Sequence, residues 1–190
     1  FTPVSLQKLT EGKLPQKPVL LAFIGGYQSF ISDIFPLLEK YQMPAAVFTA
    51  PDLAGTYNAW QNPHDEPWQN LLTEKELKTL HKSGLVSLGA LGLGGEDANR
   101  APALDATVIV RESLFRFKTQ LGLKAEGFAF WPAANFDAKQ AAQLLPERFT
   151  GPVLTPRLGL NKRTGKRLFY KILFPAKNPR TVRYALWKRR

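Results

Sequence analysis

The chain has 190 residues, of which 44% are hydrophobic, and this length fits one globular domain. It contains no cysteine, which excludes disulfides, a thiolate nucleophile and a Cys-ligated zinc site. No apolar run approaches the roughly 18 residues that cross a bilayer, and the first residues lack the pattern of a signal peptide. We therefore expect a soluble single domain over residues 1–190, and leave open a leader or anchor before Phe1.

The net charge of +11 comes from one end of the chain. Residues 1–147 carry 13 Lys/Arg and 15 Asp/Glu, whereas residues 148–190 carry 13 Lys/Arg and no acidic residue. Such a basic segment attracts phosphates, anionic lipid headgroups or acidic polysaccharides, and salt weakens the attraction. A solvated basic edge without a ligand is the competing interpretation.

Short apolar runs and helical periodicity alternate along the chain. The runs predict buried strands at 17–23, 44–49, 85–88, 127–131 and 152–155, with weaker strand character at 167–174 and 181–187. The predicted helices are Phe30–Tyr41 capped by Ser29, Thr73–Ser83 opened by a Thr73/Glu76 capping box, one from Asp105 to Leu121, and one beginning at Asp137. This alternation predicts parallel βαβ units in a barrel or an open sheet.

Chemistry in parallel α/β folds collects where the strands end. The predicted strand ends lead into residues 24–27, 50–68, 90–95 and 131–135. The stretch 52–70 is a long loop rich in Asn, Pro and Trp, and loops of this length usually carry function or cover a site.

These places resemble a known family. The run KPVLLAFIGGYQSFISDIFPLLEKYQMPAAVF resembles the opening of the NodB-type polysaccharide deacetylases, carbohydrate esterase family 4. LTEKELKTLHKSGLVSLGALGLGG and GFAFWPAANFDAKQAAQLL resemble later segments in the family's order, over roughly residues 1–160. The lead-in FTPVSLQKLTEGKLP is similar to the poly-N-acetylglucosamine deacetylase subgroup. The resemblance implies a distorted (β/α) barrel.

The departures from the family's motifs bear on catalysis. The resemblance implies that the family's general base position falls on Ile24 and its three metal-ligand positions on Gly25, Leu91 and Gly95. The family has two Asp and two His at these four positions, whereas this chain has none of them. The later motif, whose Arg and Tyr order the site, reads FWPA at 130–133. These hydrolases need a metal to activate water and a carboxylate to accept a proton. We therefore predict a pseudoenzyme without a catalytic residue, metal or cofactor.

Two other functional interpretations of the sequence are a relocated catalytic site and a phosphate-binding loop. A hydrolase with a relocated site would draw on Asp33, Asp52, His64 or Asp65, but no arrangement for acid–base chemistry is visible in the sequence. The glycine-rich stretch 89–95 is not favoured as a phosphate loop, because it lacks a Lys-Ser/Thr ending and acidic residues follow it.

Aromatic and basic residues supply the binding candidates. Tyr27, Trp60, Trp131 and Asn135 are predicted carbohydrate contacts, because aromatic faces stack on sugar rings, although core packing is the favoured interpretation for Trp131 and Trp68. Basic residues interleave with aromatics near the C-terminus, and the predicted anion-binding residues are Lys162, Arg163, Lys166, Arg167, Lys188, Arg189 and Arg190. Nucleic acid is not an expected partner, because no nucleic-acid fold signature accompanies them.

Together these observations predict an inactive deacetylase-like protein that binds or scaffolds in surface or exopolysaccharide production. The expected partner is a polysaccharide or a polysaccharide-assembly protein, and the resemblance implies an extracytoplasmic location. The alternative is an electrostatic adaptor that binds an anionic glycan, membrane surface or protein through residues 148–190.

Overall fold

A parallel sheet with helices between its strands organises the chain. The computed structural model describes residues 1–60, 64, 67–92, 103–130, 143–155 and 169–171, with only the backbone of 103–105, 155 and 169–171. In chain order the elements are β1 (Thr2–Pro3), α1 (Leu6–Glu11), β2 (Pro18–Val19), β3 (Ala22–Ile24), a π-helical turn (Phe30–Ile34), α2 (Phe35–Tyr41), β4 (Ala45–Thr49), a 3₁₀ turn (Pro51–Leu53), α3 (Glu74–Lys82), β5 (Val86–Ala90), α4 (Ala103–Leu121), β6 (Gly127–Ala129), β7 (Val153–Thr155) and β8 (Phe169–Lys171).

Strands β3 to β8 form one sheet in which each strand pairs in parallel with the next along the chain. Helices α2, α3 and α4 make the first three crossovers between them. Strands β1 and β2 pair separately, also in parallel. Sequential parallel strands joined by helices are the arrangement of a (β/α) barrel, which confirms the predicted fold class.

Most of the predicted strands occur where the apolar runs placed them. Strands β4, β6 and β7 coincide with predicted runs, and β8 lies within the weaker segment 167–174. The run 17–23 is split, because β2 pairs with β1 whereas β3 pairs with β4. Strand β5 continues through Gly89 and Ala90, so the predicted loop at 89–95 begins too early. The segment 181–187 lies outside the described residues.

Helix α3 begins with the predicted capping box. The Thr73 hydroxyl accepts from the Glu76 N–H at 3.2 Å, and the Glu76 carboxylate accepts from the Thr73 N–H at 2.8 Å. Helix α1 was not predicted, although it has its own sequence signals. The Ser5 side chain accepts from the Lys8 N–H at 3.2 Å, and Gly12 ends the helix.

Two predicted helix starts are wrong. The Ser29 side chain makes no capping bond, because the chain first winds into the π-helical turn. Pro36, which lacks an N–H, lies in the first turn of α2. Asp105 does not cap α4, because that helix begins two residues earlier at Ala103. Most of the helix predicted from Asp137 lies outside the described residues.

Apolar side chains pack on both faces of the sheet, as in a parallel sheet covered on each side. The helix-side cluster includes Ala45 and Val47 of β4 and lies beneath α2, α3 and α4. The opposite face carries the interior cluster, which consists of Val4, Leu6, Leu9, Ala46, Phe48, Leu91, Ala129 and Leu154. Helix α1 supplies Leu6 and Leu9 to it. None of the described helices is long and apolar enough to cross a membrane.

Phe48 lies at the centre of the interior cluster and is fully buried. It pairs with Gly89 of β5, which pairs in turn with Gly127 of β6, so the three residues form a row across the sheet. A Cβ atom on Gly89 would overlap the Phe48 ring, and one on Gly127 would lie 3.2 Å from Phe48 Cε1. The two glycines therefore provide the space that the ring occupies.

We expect Gly89→Ala to lower the free energy of unfolding by about 1–3 kcal/mol, because the added methyl group meets the Phe48 ring. Phe48→Ala should cost about 3–5 kcal/mol on its own. In the Phe48→Ala background, Gly89→Ala should cost at least about 0.5 kcal/mol less than in wild type, since the ring is gone and only the Gly127 carbonyl oxygen, 3.0 Å away, still crowds the added methyl group. Urea unfolding of the four proteins in this cycle measures the coupling. An equal cost of Gly89→Ala in both backgrounds would contradict the packing described.

Candidate functional site

The chain leaves β3 through two glycines with left-handed backbone conformations. Gly25 has φ 113° and Gly26 has φ 70°, values that side-chain-bearing residues rarely adopt. The Gly25 N–H donates to the Phe48 carbonyl at 2.9 Å, which ties the turn to the end of β4. The ring of Tyr27 folds back over Gly25, and a Cβ atom on Gly25 would lie 2.6 Å from Tyr27 Cε2.

The structure brings together the ends of β3, β4 and β5. Ile24, the residue at the expected base position, packs against the interior cluster. Leu91 belongs to that cluster, is 1% exposed, and donates its N–H to the Thr49 carbonyl at 3.1 Å. Gly25 lies beneath the Tyr27 ring, and Gly95 lies outside the described residues.

These residues do not fit a divalent metal. Ile24, Gly25 and Leu91 carry no side-chain oxygen, nitrogen or sulfur atom that could donate to a cation. In the described ranges, no group of three His, Cys, Asp or Glu side chains comes together.

Of the four candidates for a relocated site, Asp33, Asp52 and His64 belong to no cluster of three potential metal ligands in the described chain, and Asp65 lies outside the described residues. The other histidine, His81, lies beside Glu126. His81 Nδ1 is 3.5 Å from Glu126 Oε1, and Glu126 also accepts from the Leu88 N–H at 3.1 Å. His81 lies in the last turn of α3 and Glu126 precedes β6, so this pair lies at the edge of the sheet where strands begin. Asp33 accepts from the Ser32 hydroxyl at 2.6 Å on the π-helical turn. Asp52 lies on the 3₁₀ turn after β4.

Backbone hydrogen bonds join three segments into a strip beside these strand ends. Segment 69–72 lies in the middle, with 25–28 on one side and 55–58 on the other. Asn58 is fully buried, and its side-chain oxygen accepts from the Gln69 N–H at 2.5 Å. The bonds across the strip run from Leu72 N to Gly26 O (2.8 Å), Gln28 N to Asn70 O (2.9 Å), Leu71 N to Thr56 O (2.9 Å) and Asn58 N to Gln69 O (3.1 Å).

The strip has two faces with different side chains. Residues opposite each other in antiparallel segments point to the same side, and successive residues alternate. Tyr27 pairs with the buried Leu71, so these two share the inner face of the strip. Tyr57 pairs with Asn70, so both lie on the outer face. By alternation the outer face carries Gln28, Tyr57, Trp68 and Asn70, and it ends at Leu72, which is buried in the helix-side cluster.

Each face of the strip carries an aromatic pair. Tyr27 and Trp60 meet edge to face with ring centroids 6.1 Å apart. Tyr57 and Trp68 stack with centroids 4.6 Å apart and planes inclined by 26°. Tyr57 is 42% exposed and Trp68 is 49% exposed, so the stacked pair presents apolar rings to solvent. The interpretation of Trp68 as a core residue is therefore wrong.

A polar cleft of about 520 Å³ lies between the strip, the π-helical turn and the first turn of α3. The Gln28 amide donates to Glu76 Oε1 at 3.2 Å across it. Ile31 is the one apolar residue among those that line it. The polar lining residues are Gln28, Ser29, Ser32, Gln69, Asn70 and Glu76.

Glu76 is held in its ionised form. Partial burial raises the pKa of its carboxyl group, but hydrogen bonds from the Thr73 backbone, the Gln28 amide and the Thr73 hydroxyl outweigh this effect, so the pKa lies below its ordinary value. The cleft consequently contains a carboxylate at neutral pH.

Comparisons with known proteins agree with this architecture. No protein-family model matches the chain. IcaB from Ammonifex degensii superposes with a TM-score of 0.75 at 20% identity, over 97% of this chain and 82% of that one. The BpsB deacetylase domain from Bordetella bronchiseptica superposes with a TM-score of 0.68 at 21% identity, over 90% and 78% of the two chains. The chain has the fold of the polysaccharide deacetylases.

A curated relative matches over a shorter stretch. The poly-β-1,6-N-acetyl-D-glucosamine N-deacetylase of Escherichia coli K12 is 46% identical over 50 residues. That alignment covers 24% of this chain and 7% of the relative, so the chain corresponds to a small part of that protein.

Within the polysaccharide deacetylase fold, two of the four predicted carbohydrate contacts are described. Tyr27 and Trp60 are in contact at the strand ends, whereas Trp131 and Asn135 lie outside the described residues, as do the seven basic candidates from Lys162 to Arg190. Sequence reasoning missed the polar cleft and the stacked pair. The segment WQNLLT at 68–73 does not alternate between polar and apolar residues, so the strip had no local sequence signal.

The capping carboxylate predicts a pH-dependent stability. Because the folded pKa of Glu76 is lowered, its stabilising contribution is full above the ordinary glutamate pKa and is lost as the pH falls through the folded value. Glu76→Gln keeps a side chain that can cap the helix but removes the charge. We expect the free energy of unfolding of wild type to exceed that of Glu76→Gln by about 0.5–1 kcal/mol near neutral pH. The difference should shrink towards about pH 3.

Urea unfolding at both pH values measures this difference. Glu74→Gln removes a carboxylate from the same helical turn and is the matched control. A difference between wild type and Glu76→Gln that stays constant with pH would contradict the assignment of the charge-dependent cap.

Proposed function

We propose that this protein is a catalytically inactive relative of the polysaccharide deacetylases that binds a glycan at the ends of its strands. The observation that carries the proposal is the apolar packing of Ile24 and Leu91 in the interior cluster, beside a side-chain-free Gly25. An aromatic pair remains at the same edge, where it can contact a sugar ring.

The chemistry of deacetylation supports loss of activity. Hydrolysis of an acetamide by this class needs a cation to polarise the carbonyl and a base to deprotonate water. Ile24 cannot accept a proton, and neither Gly25 nor Leu91 can bind a cation. A carboxylate at Gly25 would require the Tyr27 ring to move away.

The surviving site is suited to binding without turnover. Tyr27 and Trp60 form an edge-to-face pair, and both side chains are partly exposed. Hydrogen bonds along the three-segment strip fix Tyr27, so the ring loses little conformational entropy when a ligand binds. We further propose a binding or scaffolding role in surface or exopolysaccharide production, with an extracytoplasmic location, because the curated relative is an N-deacetylase of poly-β-1,6-N-acetyl-D-glucosamine.

Purified protein incubated with zinc, cobalt or nickel and β-1,6-linked N-acetylglucosamine oligosaccharides should release no acetate above background. The physical reason is the absence of a proton acceptor or metal donor at Ile24, Gly25 and Leu91. Enzymatic acetate detection measures the reaction, with an active deacetylase as positive control. Metal-dependent turnover would refute the proposed inactivity.

The same oligosaccharides should bind, and Trp60→Ala should weaken binding at least about fivefold, because a ring facing the sugar is removed. Phe115→Ala is the matched control, since Phe115 is a 61% exposed aromatic residue of helix α4 that is not part of either aromatic pair. Isothermal titration calorimetry measures both affinities. Equal losses in the two variants, or none in either, would contradict binding at the strand ends.

A second candidate function is supported by the charge distribution. Residues 148–190 contain 13 Lys/Arg and no acidic residue, which suits an adaptor for an anionic glycan, membrane surface or protein. Strand β8 pairs with β7, so deletion of the whole segment would remove part of the sheet. Charge-neutralising substitutions are therefore the sharper test.

Replacement of the seven basic candidates from Lys162 to Arg190 by Gln should strongly weaken salt-sensitive binding to vesicles containing anionic lipid or to an acidic glycan. Each removed charge weakens the attraction, and wild-type binding should itself fall steeply with salt. Vesicle co-sedimentation at low and physiological salt measures the effect. Undiminished binding by the Gln variant would eliminate the adaptor function.

A further inference from the structure

We infer that the outer face of the strip and the polar cleft beside it form a second glycan-binding surface, which selects sugars with a free, protonated amine. This inference rests on the proposed function, because it assigns a ligand class to a protein proposed to bind glycans. The surface differs from the strand-end site, since Tyr57 and Asn70 pair on the opposite face of the strip from Tyr27, and Trp68 lies with them by alternation.

The stacked pair supplies the apolar part of this surface. Tyr57 and Trp68 are each nearly half exposed although their rings are held 4.6 Å apart. The antiparallel bridge between Tyr57 and Asn70 fixes their backbones. Rigid exposed aromatic rings bind sugar faces at low entropic cost, and their π-faces also attract cations.

The cleft supplies polar groups next to the rings. Asn70 lies two residues from Trp68 and directly opposite Tyr57, so the cleft and the stacked pair adjoin on one face. The amides of Gln28, Gln69 and Asn70 and the hydroxyls of Ser29 and Ser32 can donate to and accept from sugar hydroxyls.

The charge of the cleft indicates which sugar it selects. Glu76 is its only charged lining residue, and no Lys or Arg lines it in the part of the chain described. Three donors already bond to the Glu76 carboxylate, from Gln28 and from the Thr73 backbone and hydroxyl. A carboxylate offers about four lone-pair positions, so one stays available to an ammonium group.

Two electrostatic effects oppose the attraction between the Glu76 carboxylate and an ammonium group, and both are weaker than it. The N-terminus of α3 carries roughly half a positive charge, but Glu74 and Glu76 both lie in its first turn. The net charge of +11 repels cations at long range, but physiological salt screens that repulsion beyond about 8 Å. The local carboxylate therefore dominates. Hydrolysis of an N-acetylglucosamine polymer, the activity printed in the curated relative's name, leaves the free amine that this cleft fits.

Calorimetry with two β-1,6-linked oligosaccharides of equal length tests the inference, one fully N-acetylated and one fully deacetylated, at physiological salt and a pH at which the amine is protonated. Wild type should bind the amine form more tightly. Glu76→Gln should reduce that preference about three- to fivefold, because it removes the charge that attracts the ammonium group. Glu74→Gln, which removes an equal charge from the same turn outside the cleft, should retain the preference.

Trp68→Ala should weaken the affinity for both oligosaccharides at least about fivefold, because it removes one ring of the stacked pair. Circular dichroism melting of each variant shows that the fold is retained. The second surface would be overturned if wild type bound the two sugars with equal affinity. It would also be overturned if Trp68→Ala bound fully while Trp60→Ala lost binding. Either result would leave the proposed function standing. Failure of wild type to bind either sugar would instead refute the proposed function itself.

Discussion

The packing of one aromatic ring underlies the arrangement of the strands. Phe48 fills the space left by Gly89 and Gly127, so β4, β5 and β6 can approach around it. Helix α1 covers the same interior with Leu6 and Leu9. Ile24 and Leu91 join this cluster from the neighbouring strand ends, which makes the edge of the sheet continuous with its core. The strand-end site is therefore apolar because its residues pack against the interior cluster, which also stabilises the sheet.

The three-segment strip holds aromatic side chains in place at that edge. A long loop between α/β elements is normally mobile, but 69–72 bonds to a segment on each side and Asn58 adds a buried contact. The strip has a period of two, which separates Tyr27 from Tyr57 and Trp68. One short backbone arrangement thus presents two aromatic pairs to different surroundings.

The sequence predicted the elements whose signals are local. The apolar runs located β4, β6 and β7, and the Thr73/Glu76 spacing located the start of α3, because both depend on neighbouring residues. The cap at Ser29 was wrong because a π-helical turn replaces the expected first turn. The polar cleft could not be predicted, since it joins Gln28, Asn70 and Glu76, whose proximity depends on the pairing of distant segments. Ile24 and Leu91 were found by resemblance, and their burial became evident only from the fold.

The burial of Leu91 has an evolutionary consequence. A histidine at that position would place a polar ring among Phe48, Ala129 and Leu154, and no metal would offset the cost until the other ligands were also present. Each single substitution towards a metal site would therefore reduce folding stability without any gain in chemistry. A lineage with this interior would tend to keep it, and selection would act on the exposed surfaces instead, where substitutions are tolerated.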